Sequence, residues 1–575
     1  MGIILTPTKE QKKIIESDLI SQCIIACPGS GKTVTAVRRL CDIRRRHENL
    51  RGYIALLSYS NVAVESFRKE FMLVTQQVPE GLSSRVLIET VDSFLTAQIM
   101  NTHAARTMEA AKQPFLVQGN ESWLAEHKIA HQPYPIGIEH LKMSFNQDGA
   151  LEYYYLDKGR RKILDEKKVQ VAIKKLGKEG AYTHELRRYW VWQTLLHQNA
   201  ILKALSRRYP YILVDEAQDI GSMHEAILLL IHKCGSQISL IGDPNQAIYE
   251  FVGADGTFLH KFEKKNGIMS FSLSENRRSI KPIVNVANKL KSSGEESITT
   301  REVPEGHKNG IYILTYDSKK PNDVVKRFVS ILKEHKLSTN EAAILCRNNK
   351  MIDKINGQTI KTGYSATKQL AEAAILRDRD SDLVGSFKKV IDGVLLLLDT
   401  NKLLKKNLLE DSSDTNIKVL RRILWHFLRD PETGLPKSTL LAKSEWQPEL
   451  KKRVKKLLND IGDNTNQNVK QRWGNNLTAK KLQDNPLWDG ALVARQYSGI
   501  RIDTVHQAKG ETIQSVMYLA TNENLEALLS GTSNEEGRIG YVAVTRAQNL
   551  LILAVPVKSD SIIDNLKKLG FLIWP

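Results

Sequence analysis

Ile24-Ile25-Ala26-Cys27-Pro28-Gly29-Ser30-Gly31-Lys32-Thr33 joins a short apolar run to Val34–Leu40, which reads as a helix. A strand that turns through two glycines into a helix is a phosphate-binding loop. The glycines let successive backbone N–H groups face inward around phosphate oxygens, and the helix adds its positive N-terminal end. Lys32 is expected to reach the β- and γ-phosphates and Thr33 to offer its hydroxyl to Mg²⁺, with Ala26, Cys27, Pro28, Gly29, Ser30 and Gly31 lining the cradle. The strict pattern has Gly where Ala26 stands, but Gly29-Ser30-Gly31-Lys32-Thr33 is intact. This loop opens a parallel α/β domain, and the remaining chain is read from it.

A partner for the loop lies further on, where Tyr211-Ile212-Leu213-Val214 runs into Asp215-Glu216-Ala217-Gln218-Asp219. An apolar strand that delivers two acids at its C-terminal end supplies one carboxylate for a metal and one to polarise an attacking water. Asp215 is the candidate metal ligand beside Thr33, and Glu216 the candidate general base. The two elements together predict hydrolysis of a nucleoside triphosphate with Mg²⁺.

Strands alternate with helical stretches on both sides of this pair, the pattern of parallel α/β domains. The first set is Gln22–Ala26, Tyr53–Ser58, Arg85–Thr90, Tyr211–Val214 and Ile238–Gly242. The second set is Met269–Leu273, Gly310–Thr315, Ala342–Cys346, Ile502–Thr504, Val516–Ala520 and Leu550–Val555. Two stretches interrupt them without strand alternation. Residues 98–195 are polar and mixed, and residues 363–494 are helix-rich, with apolar faces at Val394–Leu398, Leu420–Leu428 and Leu450–Leu458. The expected division is a first core at 1–97 and 196–258, a second at 259–362 and 495–575, and an insertion in each.

The bulk composition fits. A chain of 575 residues needs several cores, and 41% hydrophobic with 26% charged residues is ordinary for globular protein. The formal charge of +19 suits a polyanionic partner, because each neutralised phosphate releases counterions. Cys23, Cys27, Cys41, Cys234 and Cys346 form no C-x-x-C pair and have no His at zinc spacing, so they read as reduced thiols. No run approaches the roughly 18 apolar residues of a membrane span, and Met1–Pro7 has no signal-peptide layout. A cytoplasmic location without membrane contact is expected.

The shorter motifs narrow the choice. Thr8-Lys9-Glu10-Gln11, Leu57–Asn61, Thr90–Phe94, Leu240–Tyr249, Asn276-Arg277-Arg278-Ser279, Thr504–Glu511 and Glu535–Arg538 with Tyr541–Ala547 follow in order along the chain. This series resembles the UvrD/Rep/PcrA group of superfamily 1 DNA helicases over nearly the whole length. The resemblance implies an α/β fold with two RecA-like P-loop NTPase domains in tandem, each interrupted by a largely helical insertion. It implies that Gln11 reads the adenine edge of ATP, that Gln246 senses the γ-phosphate, and that Arg278 and Arg546 are arginine fingers from the second lobe. It also implies that Tyr59, Asn61, Tyr249, Phe251 and His506 contact DNA, with Phe251 in place of a stacking Trp.

The chain departs from the group in places. Arg277 replaces a Tyr that stacks on adenine, Val34 an Arg and Val252 another Arg, and Glu511-Thr512-Ile513 stands for Leu-Glu-Phe, so that Glu511 is the remaining candidate for the ribose contact. Two functions follow. The first is an ATP-dependent helicase or translocase moving 3′→5′ on single-stranded or tailed duplex DNA. The second is a regulatory ATPase subunit acting with a nuclease subunit, since the compact layout is similar to the helicase-like subunit of the Gabija anti-phage system. Both keep the ATP site.

Overall fold

The computed structural model describes residues 6–574, except 48–50, 76–84, 118–121, 147, 158, 251–252, 255, 293, 304–309, 319–320, 356–364, 379–381, 400–407, 410–413, 479–481, 483–485, 488–495 and 498–499. It is an α/β protein. Residues 1–314 and 505–575 form one compact unit, and residues 315–504 form a second.

The first unit is built on a six-stranded sheet. Strands β1 (Gln22–Ala26), β2 (Ile54–Ser58), β3 (Val86–Thr90), β7 (Tyr211–Val214), β8 (Gln237–Gly242) and β9 (Met269–Leu273) lie in the order β9-β1-β8-β7-β2-β3. Every neighbouring pair is parallel. Side chains alternate between two cores, as the two-residue repeat of a strand requires. Cys23, Ala55, Leu57, Ile212, Val214, Ile238 and Leu240 share one cluster. Ile24, Ile54, Leu56, Leu213 and Ile241 share the other, with Leu40 of helix α2 (Lys32–Arg46) and Phe67 of α3 (Asn61–Thr75). Burial on both faces is why the inner strands read as nearly unbroken apolar runs.

Met269–Leu273 was expected in the second set of strands. It pairs instead with β1 along its full length, from Gln22↔Met269 to Ala26↔Leu273. The first sheet therefore extends past residue 258, and a boundary at 259 falls inside the helix Thr257–Glu263. Apolar runs mark strands but not their sheet, so the sequence could not assign it. The consequence is functional, because β9 delivers Ser274–Arg278 beside the loop at the end of β1.

The stretch 98–195 also holds strands. β4 (Lys142–Phe145), β5 (Leu151–Asp157) and β6 (Arg160–Ile163) form an antiparallel sheet, with Met143↔Tyr153 and Tyr154↔Ile163 in register. The outer strand Arg-Arg-Lys-Ile is exposed throughout, which removes the apolar alternation that would have signalled it. Arg161 lies 3.8 Å over the Tyr154 ring. Helix α4 (His184–His197) buries Leu186, Tyr189, Trp190 and Val191 in the same core as β1, β2 and β7, so this region and the sheet share one interior. Later in the unit, β13 (Ile513–Leu519) and β14 (Ala547–Pro556) pair in parallel, and β10 (Ile311–Tyr316) pairs with Leu572–Ile573.

In the second unit β11 (Ala342–Cys346) and β12 (Ile500–Thr504) are parallel neighbours. The helices Ala366–Asp378, Leu383–Leu395, Thr415–Arg429 and Gln447–Asn464 enclose a separate core around Leu370, Val390, Leu424, Trp446, Leu450 and Leu457. The helical reading of this stretch matches these elements.

Arg39 on α2 fixes helix α1 (Lys9–Glu16) against the phosphate-loop helix. Its guanidinium donates to the carbonyls of Ile15 (2.9 Å), Ser17 (2.8 Å) and Asp18 (2.5 Å), at the end of α1. At 1% exposure these bonds replace its hydration, and burial pushes its pKa down to about 10. Arg39→Ala removes three hydrogen bonds at a helix end, where Ser17 O keeps Arg46 Nη1 (2.8 Å) and Asp18 O keeps Gln22 Nε2 (3.2 Å), and it deletes a buried side chain. It is expected to cost about 2–4 kcal/mol of stability by denaturant unfolding.

Candidate active site

The loop after β1 has the backbone its glycines predict. Gly29 (φ +73°) and Gly31 (φ +78°) lie in the left-handed region. Space excludes a side chain as well: a Cβ would sit 2.5 Å from Arg278 Cβ at Gly29 and 2.7 Å from Gln11 Nε2 at Gly31. Ala26 ends β1 inside the core, and Cys27, Pro28 and Ser30 are buried. The Ser30 hydroxyl donates to Cys27 O (2.8 Å), and Lys32 Nζ folds back to the same carbonyl (3.4 Å). Gly31 is the N-cap of α2 and brings no side-chain acceptor, so the first-turn amides suit an incoming anion.

Gln11 braces this loop. Its Oε1 accepts from Thr8 N–H (3.0 Å), its own N–H donates to Thr8 Oγ1 (3.1 Å), and its Nε2 donates to Ser30 O (2.9 Å). Both ends of the amide expected to read adenine are thus engaged by protein. Glu10 was not anticipated: it accepts from the Ser274 N–H (2.8 Å) and hydroxyl (2.6 Å) and so ties α1 to the segment after β9. Arg277 donates its N–H to Gly29 O (3.0 Å) and Nη1 to Thr6 O (3.2 Å). It covers the same edge of the cradle as Gln11.

The acids stand at the C-terminal end of β7, two strands from the loop. Asp215 is 1% exposed, its Oδ1 has no hydrogen-bond partner, and desolvation with the neighbouring Glu216 charge pushes its pKa up. Glu216 behaves oppositely. Desolvation would raise it, but Lys32, Lys509, the Gln218 hydrogen bond and Arg546 outweigh that and hold its carboxyl below the ordinary value. Its backbone has φ +51°, a strained conformation for a non-glycine residue, and Gln218 Nε2 donates to its Oε2 (2.5 Å). Burial and its neighbour thus oppose charge on Asp215, whereas the surrounding cations favour it on Glu216.

Gln246 and the arginines complete the ring. Gln246 Nε2 donates to Asp243 Oδ2 (2.7 Å), and its Oε1 accepts from Arg546 Nη2 (2.7 Å). Arg546, at 1% exposure, also donates from Nε to Val542 O (3.1 Å) and from Nη1 to Glu511 O (3.2 Å). Arg278 donates from Nη1 to Thr545 O (3.1 Å), and its N–H bonds to Asn276 Oδ1 (2.8 Å). Desolvation, then the Arg546 charge beside it, pushes Arg278 down to about 9. All these residues lie within the first compact unit.

A cavity of about 670 Å³ runs from Thr33, Asp215 and Glu216 to Tyr59, Tyr249 and His506. The Tyr59 hydroxyl is buried with no partner, and its ring meets His224 edge-on at 5.4 Å. Tyr249 packs against His506 (5.8 Å) and beneath Lys509 Nζ (4.7 Å), and His506 Nε2 lies 3.2 Å from Ile248 O. Glu511 lines the same cavity. Asn61 opens α3, and Phe251 lies outside the described residues.

The pair Lys509–Asp219 escaped the sequence reading. Lys509 Nζ donates to both Asp219 oxygens (2.7 and 2.6 Å) and to Gln246 O (2.9 Å), with both side chains nearly buried. Both residues stand inside recognised motifs, but nothing in the sequence matches charges 290 positions apart. Asp219→Asn leaves a buried ammonium without its counter-charge, and an expected loss of about 3–5 kcal/mol follows. Adding Lys509→Met should restore part of it, read as a higher denaturant midpoint for the double variant than for Asp219→Asn alone.

Among the described residues no cluster of three or more His, Cys, Asp or Glu could hold a metal, and no helix is long and apolar enough to cross a membrane. A family model for the UvrD/REP helicase N-terminal domain matches residues 7–267, and one for the UvrD-like helicase C-terminal domain matches residues 402–557. The chain is 21% identical to the ATP-dependent DNA helicase Rep of Buchnera aphidicola subsp. Acyrthosiphon pisum, over 94% of this chain and 93% of Rep. It is 23% identical to the putative ATP-dependent DNA helicase YjcD of Bacillus subtilis over 64% of this chain, and it spans about half (54%) of YjcD. A 103-residue stretch is 36% identical to the RecBCD enzyme subunit RecB of Escherichia coli, over 18% of this chain and 9% of RecB. With the N- and C-terminal helicase domains both present and in order, the chain belongs to the UvrD-like superfamily 1 helicases.

Proposed function

We propose that the chain is an ATP-driven motor that moves 3′→5′ along single-stranded DNA and opens duplex ahead of it. The observation that carries this reading is the position of Glu216. Its carboxylate lies in the combined field of Lys32 from the phosphate loop and of Lys509 and Arg546 from the C-terminal segment. Charges from both ends of the chain thus converge on the group that would activate water.

The residues suit a Mg²⁺–ATP complex. Asp215 has a buried, unpartnered carboxylate oxygen, which fits a cation better than any protein donor nearby, and Thr33 shares its cavity. These two residues would hold Mg²⁺, which would neutralise charge on the phosphate oxygens. Lys32 and the amides of residues 29–33 hold the β- and γ-phosphates. Glu216, kept ionised, orients the attacking water and takes its proton. Arg546 and Arg278 stabilise charge on the transferring phosphoryl group, an effect worth roughly 10³ or more in rate.

Gln246 links this chemistry to movement. Its side chain binds Arg546 and its carbonyl accepts from Lys509, which lies over Tyr249 on the strand side of the cavity. A γ-phosphate that draws Arg546 or Gln246 to itself therefore alters what Lys509 and Tyr249 can hold. Cyclic ATP binding and loss then bias two arrangements of the strand site. DNA bases would stack on Tyr59, Tyr249 and Phe251, contacts that need no particular sequence. Neither the site nor the relatives above point to anti-phage defence.

Turnover of the purified chain with and without oligo(dT) tests the reading, together with strand displacement on a tailed duplex. Oligo(dT) should stimulate hydrolysis, and the duplex should be unwound from a 3′ tail. Lys32→Ala should abolish hydrolysis, whereas Arg546→Ala should lower kcat about 10³-fold and still bind a fluorescent ATP analogue. Turnover indifferent to DNA would remove the motor, and stimulation without unwinding would leave the regulatory-subunit role.

A further inference from the structure

The cavity described above has a second charged wall that the ATP chemistry does not use. Helix α4 begins at its Thr183 cap, whose hydroxyl accepts from Leu186 N–H (3.2 Å). Arg187 and Arg188 follow in its second turn. Adjacent residues on a helix point about 100° apart, so the two arginines face different surroundings. Arg187 turns inward, is 7% exposed and makes a short ion pair with Asp92 Oδ2. Arg188 lines the cavity with 23% of its side chain exposed.

Arg188 is poised but loosely held. Its Nη2 is 3.7 Å from Asp92 Oδ2, its Nη1 is 3.4 Å from Glu185 Oε2, and its Nε has no hydrogen-bond partner. Asp92 is already occupied by Arg187 and by His224 Nε2 at 3.1 Å, and Glu185 is shared with Lys142 at 3.8 Å. The cluster therefore sets three cations (Lys142, Arg187, Arg188) against two carboxylates (Asp92, Glu185). Of these five groups Arg188 is the cation that lines the cavity, next to the Tyr59 ring, the flat surface proposed above for a base. Arg187 and Lys142 engage the two carboxylates that would otherwise claim it.

We propose that Arg188 binds a phosphodiester of the single strand whose base rests against Tyr59, with Asp92 as the residue that positions it. The 98–195 region, so far only an insertion, then contributes directly to the strand grip. A planar guanidinium with free donor capacity suits a phosphate oxygen pair better than an ammonium would. The assignment rests on the strand-binding reading above and names a contact within it.

Counterion release counts such contacts. Each phosphate neutralised on a single strand adds about 0.7 to the slope of log K against log salt concentration. Binding of the full-length chain to fluorescein-labelled oligo(dT) over a KCl series should show a slope shallower by about 0.7 for Arg188→Gln than for wild type. Affinity at 0.1 M salt should fall about fivefold, which is that slope over one decade below 1 M. Arg188→Lys keeps the charge and should keep the slope. Should Arg188→Gln not fold, Arg188→Met retains the helix-compatible stem and gives the same readout. Equal slopes for wild type and Arg188→Gln, with DNA binding intact, would overturn the assignment and leave the strand-binding reading standing. A change confined to affinity for an ATP analogue would overturn it too. Wild type without salt-dependent binding to oligo(dT) would remove both.

Discussion

The buried guanidinium of Arg546 against the side-chain amide of Gln246 is the contact on which the site depends. A charge that loses its water must find acceptors, and Arg546 finds them in Gln246 Oε1, Val542 O and Glu511 O. The most distant of them, Gln246, is 300 residues from Arg546 along the chain, so satisfying one cation fixes the C-terminal motif to the strand ends of the first sheet. Arg278, bonded to Thr545 O, is held by the same motif. Desolvation depresses both guanidinium pKa values, and an anion in the cavity would relieve that strain.

The phosphate loop is built into this arrangement from below. Gln11 bonds the carbonyl of Ser30, Glu10 grips Ser274, and Arg39 ties the end of α1 to the loop helix. Because β9 runs parallel to β1, the chain emerging from it passes directly over the loop, where Arg277 N–H meets Gly29 O. Gly29 has no room for a Cβ because Arg278 occupies that space. The glycine is therefore required twice, once for the loop's own backbone and once for the close approach of Arg278.

Local chemistry was legible in the sequence wherever a motif carries its own geometry. Gly29-Ser30-Gly31-Lys32-Thr33 dictated loop, turn and helix start, and Tyr211–Val214 with Asp215-Glu216 dictated a buried strand ending in acids. The inner strands of the first sheet were visible because burial on both faces leaves nearly unbroken apolar runs. Sheet membership was not, and Met269–Leu273 was assigned to the wrong sheet because an apolar run says nothing of its neighbours. The antiparallel sheet at 142–163 stayed hidden because its outer strand is charged and exposed. Pairings between distant charges, Lys509 with Asp219 and Arg187 with Asp92, need three-dimensional proximity that no spacing rule encodes. The resemblance placed Gln11 on adenine, and the structure engages its amide with Thr8 and Ser30.

If Gln246 and Arg546 act as one device, removing either should remove what the pair does. A double-mutant cycle on kcat for DNA-stimulated ATP hydrolysis, using Gln246→Ala, Arg546→Ala and both together, tests this most directly. Strong non-additivity is predicted, with the double variant little slower than the worse single one. Effects that simply multiply would mean that the two side chains touch without working together, and would contradict the account.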